Sequence, residues 1–190
     1  ILWLLYMTWL IRTILRTRLH EPINGTAFLT TVATQSVVLN ILGLWSELSE
    51  VLICGLLALN ALGIVLYCVF FYLIWIVRGM KLQIANWVPP NNITHGALSI
   101  SLLASQMLAV RMVTPSQWFR FALDIVWVVD AVFFALIAVT ELGLLLRGAK
   151  PLLSFQVSIY ARNFTYGMFF ACTYYGYTHF KPSVMHSLLS

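Results

Sequence analysis

Long apolar runs separated by short polar breaks fill almost the whole chain, and the runs are of two kinds. Two are long and nearly unbroken Leu, Val, Ile and Phe, at 49–79 and 115–148. Three are shorter and threaded with hydroxyls, amides and glycines, at 26–45, 92–110 and 158–180. A further apolar run, 1–16, opens the sequence and ends among arginines. A helix needs about 20 apolar residues to cross the bilayer hydrocarbon, so the pattern predicts six spanning helices. The runs are continuous rather than alternating, which excludes a transmembrane β-barrel. The expected fold class is an all-α polytopic membrane protein with a single transmembrane domain over 1–190.

The spacing of the runs adds an architecture. Short runs begin near Thr26, Asn92 and Ser158, long ones near Ser49 and Pro115, and every step within a kind is 66 residues. This predicts a repeated helical hairpin, a short inner helix joined by a tight turn to a long outer one. Hydroxyls and amides in hydrocarbon need partners or water. The short helices should therefore gather around a central pore, with the long apolar ones facing lipid. Pro89 and Pro90 cannot continue a preceding helix, and Asn91 or Asn92 can cap the next. Gly96 and Gly167 lie within short helices, where a missing side chain permits close packing or a bend.

Composition agrees with the pattern. Hydrophobic residues make up 61% of the chain and charged residues 9%, with a mean hydropathy of +0.90. Soluble domains carry about 25% charged residues, so this chain cannot cover a water-facing globule. The sequence starts at Ile1 with no cleavage motif, which reads as a chain cut from something longer, incomplete at both ends. Eight of the eleven Lys and Arg flank the ends of the first, third and fifth runs: Arg12, Arg16, Arg18, Arg78, Lys81, Arg147, Lys150 and Arg162. The positive-inside rule puts those loops in the cytoplasm of an integral plasma- or inner-membrane protein. The three N-x-Thr triplets, at Asn24, Asn92 and Asn163, then fall on the cytoplasmic side and read as helix caps rather than glycosylation sites.

Several residues are candidates for chemistry. Thr30 and Thr34 lie one turn apart, as do Thr31 and Gln35; they form either a pore-lining ladder of neutral donors or interhelical hydrogen bonds. Ser99, Ser101 and Ser105 cannot all share one helix face. His95 either attracts anions when protonated or is a satisfied interfacial residue. Arg162 either gathers anions at a pore mouth or snorkels to headgroups. An intramembrane carboxylate is a functional hypothesis by default. Asp124 can pair with Arg120 one turn away, Glu141 falls near a cytoplasmic end, and Asp130 is deep with no partner on its own helix. Asp130 is thus either a proton carrier or a neutral group at an interface. Cys54, Cys68 and Cys172 form no CxxC or Cys/His cluster and read as buried hydrophobes. No cofactor, metal or nucleic-acid partner is expected, and no enzyme motif is present. An intramembrane enzyme built on His95 and Asp130 would require the two to converge within hydrogen-bond reach.

Three segments carry a family resemblance: Val32-Ala33-Thr34-Gln35-Ser36, the stretch from Thr94 to Ser101 (THGALSIS), and Phe164-Thr165-Tyr166-Gly167-Met168-Phe169. In that order, each on a short run, they resemble inner-helix strings of the tellurite-resistance/dicarboxylate transporter family. This family includes bacterial tellurite-resistance proteins, fungal malate and sulfite transporters and the plant slow anion channel. The resemblance implies ten helices in five hairpins around a pore, commonly assembled as a trimer, with this chain covering about the fourth to ninth helices. It departs from the family at His95, where a small or amide residue is usual, and at Thr165, where proline is common. The resemblance implies transport of chloride or nitrate, or of dicarboxylate or sulfite, through a central pore occluded by a phenylalanine, here Phe164. Thr30, Thr31, Thr34, Gln35, His95, Ser99 and Gly167 would line that pore. The alternative is a non-transporting membrane scaffold subunit of a larger complex.

Overall fold

The computed structural model describes Trp3, Leu5, Thr8 and residues 25–77, 92–112, 115–146 and 157–180. The expected helix at 1–16 lies outside the described residues except at those three positions. A 3-10 turn, Gly25–Phe28, leads into α1 (Leu29–Leu44). Then come α2 (Glu50–Phe71), continued by a π-helical turn Tyr72–Val77, α3 (Ile93–Arg111), α4 (Gln117–Leu146) and α5 (Val157–His179). No strand occurs among the described residues, and the chain is all-α. The starts of α1, α3 and α5 are 64 residues apart.

Local chemistry sets the helix ends. Ser49 is extended at the start of α2 and its hydroxyl accepts from the Leu52 amide at 3.4 Å, while Glu50 complements the positive end of the dipole. Ser116 caps α4 in the same way, accepting from the Phe119 amide at 3.2 Å. α1 ends at Trp45, and its terminal carbonyls would be left without donors. Arg111 supplies them: Nη2 donates to Leu42 O at 3.3 Å and Trp45 O at 3.5 Å, and Nη1 donates to Ser46 O. This one guanidinium ties the ends of α1 and α3 together. The π-helical turn continues α2 from Tyr72, whose amide is shared between Cys68 O and Val69 O.

Two expected caps are corrected. Asn92 does precede α3, but in αR conformation and with no side-chain cap bond; its amide is spent on another helix, as described below. Asn163 lies inside α5, exposed, and caps nothing.

Among the described residues three helices are long and apolar enough to cross a membrane: Glu50–Ile76, Ile93–Arg111 and Gln117–Leu146. They are buried very differently. Within their most apolar windows α3 is 83% buried, whereas the α2 and α4 stretches are each 22% buried. The reason is that α3 packs against the other four helices. Its residues enter all three core clusters: Ala97 with Phe28, Tyr67 and Phe70; Ala104 and Leu108 with Val38, Leu42 and Leu56; Leu102 and Ala109 with Leu123 and Trp127. Small side chains at 96, 97, 101, 104, 105 and 109 let so many neighbours approach one helix. Outward, α2 and α4 expose Val51, Val65, Val132, Val139 and Leu142. Exposed apolar side chains on this scale mark surfaces that meet protein or lipid.

Candidate functional site

The site begins with what fixes the rotation of α5. Glu141, near the end of α4, accepts from Asn92 Nδ2 at 2.8 Å through Oε1 and from the Tyr166 hydroxyl at 2.7 Å through Oε2, with Arg162 Nη1 3.8 Å from Oε2. The Asn92 carbonyl in turn accepts from Thr165 Oγ1 at 3.0 Å. Arg162, Thr165 and Tyr166 are therefore tied to α3 and α4. Successive helical residues lie about 100° apart, so Phe164 and Met168 are left facing the other way, toward α1. Gly96 completes the seat. A Cβ there would stand 2.8 Å from Thr165 Oγ1 and 3.2 Å from Phe164 Cε1, so only glycine lets α3 and α5 come this close.

Phe164 and Met168 line a cleft of about 370 Å³ with Ser36, Asn40 and Gly43 of α1 and Ile100 of α3. The three shorter, more polar helices thus meet at one cleft. Its polar lining is neutral, a serine and an asparagine. Arg162, the expected pore-mouth residue, is not among the cleft's lining residues and instead lies 3.8 Å from Glu141 on the opposite face of α5.

Thr30, Thr31, Thr34, Gln35, His95, Ser99 and Gly167, the residues expected to line a pore, do not line this cleft. Thr30, Thr31, Thr34 and Gln35 occupy the buried face of α1, opposite Ser36 and Asn40. Thr34 Oγ1 donates to Thr30 O at 2.9 Å and accepts from Trp3 Nε1 at 3.2 Å. Gln35 Nε2 donates to Asn60 O of α2 at 3.2 Å, over Gly63, where a Cβ would stand 2.8 Å from Gln35 Cδ. A hydroxyl that bonds its own helix, as Thr34 does, can be buried without a water channel, whereas Thr31 Oγ1 and Gln35 Oε1 are buried with no hydrogen-bond partner among the described residues. Gly167 is exposed, and a Cβ added there would meet nothing within 4 Å.

His95 and Ser99 face α4 and α5, where they form a second constellation. His95 Nε2 lies 3.2 Å from Asp130 Oδ1, both side chains fully buried. The pair is close but not aligned as a hydrogen bond. Ser99 Oγ reaches Asp130 Oδ2 at 2.7 Å, and Cys172 Sγ lies 3.9 Å from the same oxygen. The imidazole sits against the Phe134 and Phe169 rings, at centroid distances of 5.8 and 5.4 Å. An acid and a base thus stand side by side in a buried pocket walled by aromatic rings.

Sequence reasoning missed three participants. Asn60 is the single amide in the apolar stretch of α2; it receives Gln35 and donates through Nδ2 to Ser105 Oγ at 3.1 Å. That isolation was the available signal. Asn40 stands one turn from Ser36, a period that marks the cleft face as well as Thr30–Thr34 marks the buried one. Cys172 reaches Asp130 across helices, a pairing that no local spacing reveals. Cys54 and Cys68, expected to be buried, are exposed on the outward face of α2, which no described residue covers at these positions.

No family model, curated protein or solved structure matches the chain.

Proposed function

We propose that this protein is a polytopic membrane transporter or channel that passes small anions along the cleft between α1, α3 and α5, with Phe164 as the obstacle in the path. The observation carrying this reading is the position of Phe164. The residue that the family resemblance marks as a gate lines a cleft where the three polar helices meet, close against Gly96. A bulky ring in a narrow passage blocks hydrated ions by sterics and dewetting, and turning it aside opens the way. Neutral Ser36 and Asn40 dipoles suit an anion that must bind weakly enough to leave. Assembly as a trimer and cytoplasmic placement of the Arg-rich loops belong to the same proposal.

Within this reading His95 and Asp130 form the candidate proton site of a coupled carrier, because a buried acid–base pair is a natural proton store. The test is anion flux into proteoliposomes for the parent chain and Phe164→Ala. Faster chloride or nitrate flux in the variant supports the gate. Absence of flux in both, with the protein folded, overturns transport and leaves the scaffold reading. That reading is favoured by one feature, the exposed aromatic face of α5 at Tyr160, Phe170 and Tyr174.

A further inference from the structure

A second cavity, of about 280 Å³, lies on the other side of α3, between α2 and α4. Leu98 and Leu102 of α3 form its floor, Ile64 and Cys68 of α2 one wall, and Ala122 and Val126 of α4 the other. At one end the gap between α2 and α4 is closed by rings: Phe133 meets Phe71 and Trp75 edge-on at 6.1 and 6.4 Å. The cavity occupies the stretch beyond that plug.

Its chemistry is one-sided. Three hydroxyls border it, and two of them already donate within α3: Ser101 Oγ to Ala97 O at 2.7 Å and Ser105 Oγ to Ser101 O at 2.9 Å, which leaves the Tyr67 hydroxyl as the polar edge. A water needs two to four polar partners, and the rest of the lining is apolar. Apolar cavities of about 150 Å³ stay dry and take up small apolar molecules, and this one is larger. Its rims continue into the outward apolar faces of both helices, through Val65 and Val69 on α2 and Phe121, Ile125 and Val129 on α4. The exposed Cys68 thiol stands where wall and rim meet.

We infer that this cavity is a binding site for one hydrocarbon chain of a bilayer lipid, which enters between α2 and α4 and rests on Leu98 and Leu102. The inference rests on the membrane-spanning reading of α2 and α4. It assigns the surrounding lipid a structural role, since a chain lodged there fills the gap that the Phe133 plug leaves open.

The test is photo-crosslinking in proteoliposomes made with a phospholipid carrying a diazirine on its acyl chain, followed by peptide mapping. The expected result is adducts on α3 at Leu98 and Leu102 as well as on the outward faces of α2 and α4. Filling the cavity with Ala122→Phe, or separately with Leu98→Phe, should abolish the Leu102 adducts and leave those at Val65 and Val129 unchanged. Adducts on the outward faces with none on α3 in the parent chain would overturn the site while leaving the membrane reading intact. The site would equally be overturned if both filling variants kept the Leu102 adducts. No adducts on α2 or α4 at all, in protein that co-floats with the vesicles, would overturn the membrane reading and the site with it.

Discussion

Replacing His95 by Leu removes the imidazole 3.2 Å from Asp130 Oδ1 and keeps the site apolar and filled. Asp130 is then left with the Ser99 hydroxyl at 2.7 Å and the more distant Cys172 thiol at 3.9 Å, both on Oδ2. The size of the loss reports how the pair holds its proton. Stranding one partner of a buried ion pair costs about 3–5 kcal/mol. Leaving a neutral buried polar group without its neighbour costs about 1–3 kcal/mol. Either value is measurable as a shift in the denaturant midpoint of detergent-solubilised protein, followed by tryptophan fluorescence. The double variant His95→Leu/Asp130→Leu removes both groups, and apolar replacement of a buried pair is often neutral or stabilising. The double should therefore be more stable than the sum of the single losses by about 0.5–3 kcal/mol, the range for residues in contact. A His95→Leu variant within about 0.5 kcal/mol of the parent, together with simple additivity in the double, would refute the pairing. In a transport assay, Asp130→Asn should remove any stimulation of anion uptake by an imposed proton gradient.

Substitutions at three other positions test the packing around α5. Gly96→Ala places a methyl 2.8 Å from Thr165 Oγ1 and 3.2 Å from the Phe164 ring; it should destabilise by about 1–3 kcal/mol, read as a lowered melting temperature, and should alter flux. Gly167→Ala meets no atom within 4 Å and replaces a mid-helix glycine, so it should be neutral or stabilising by up to about 1 kcal/mol in the same melt. Glu141→Leu strands the Asn92 amide and the Tyr166 hydroxyl, bonded to it at 2.8 and 2.7 Å, and should cost about 2–4 kcal/mol; Glu141→Gln, which keeps an acceptor, should lose less by the same denaturant assay.

The helices were legible in the sequence because hydrophobic runs and their polar breaks are local signals. The breaks at Ser49 and Pro115-Ser116 sit at the starts of α2 and α4, where the serines supply caps. Which face of each helix points where was not legible. On α1, Thr30-Thr34 and Ser36-Asn40 have the same one-turn spacing, and only the tertiary partners Asn60 and Trp3 decide that the first set is buried. Asp130 showed no partner in sequence because its neighbours arrive from α3 and α5, at positions 95, 99 and 172. Asn92 carried a strong capping signal, and Glu141, 49 residues away, outcompetes the local bond with a charge-assisted one. Phe164 was found through the resemblance rather than through periodicity, since phenylalanine is ordinary in apolar helices.

The central claim is that the α1–α3–α5 cleft is the path through which anions move. In a background with Cys54 and Cys68 changed to serine, Ser36→Cys and Thr34→Cys can be compared under a charged, membrane-impermeant thiol reagent while anion flux is recorded. Ser36 lines the cleft beside Phe164, and Thr34 is fully buried on the opposite face of the same helix. The account predicts that the reagent blocks flux through Ser36→Cys and leaves Thr34→Cys untouched. Modification of Thr34→Cys with Ser36→Cys unaffected would contradict it and move the path to the other side of α1.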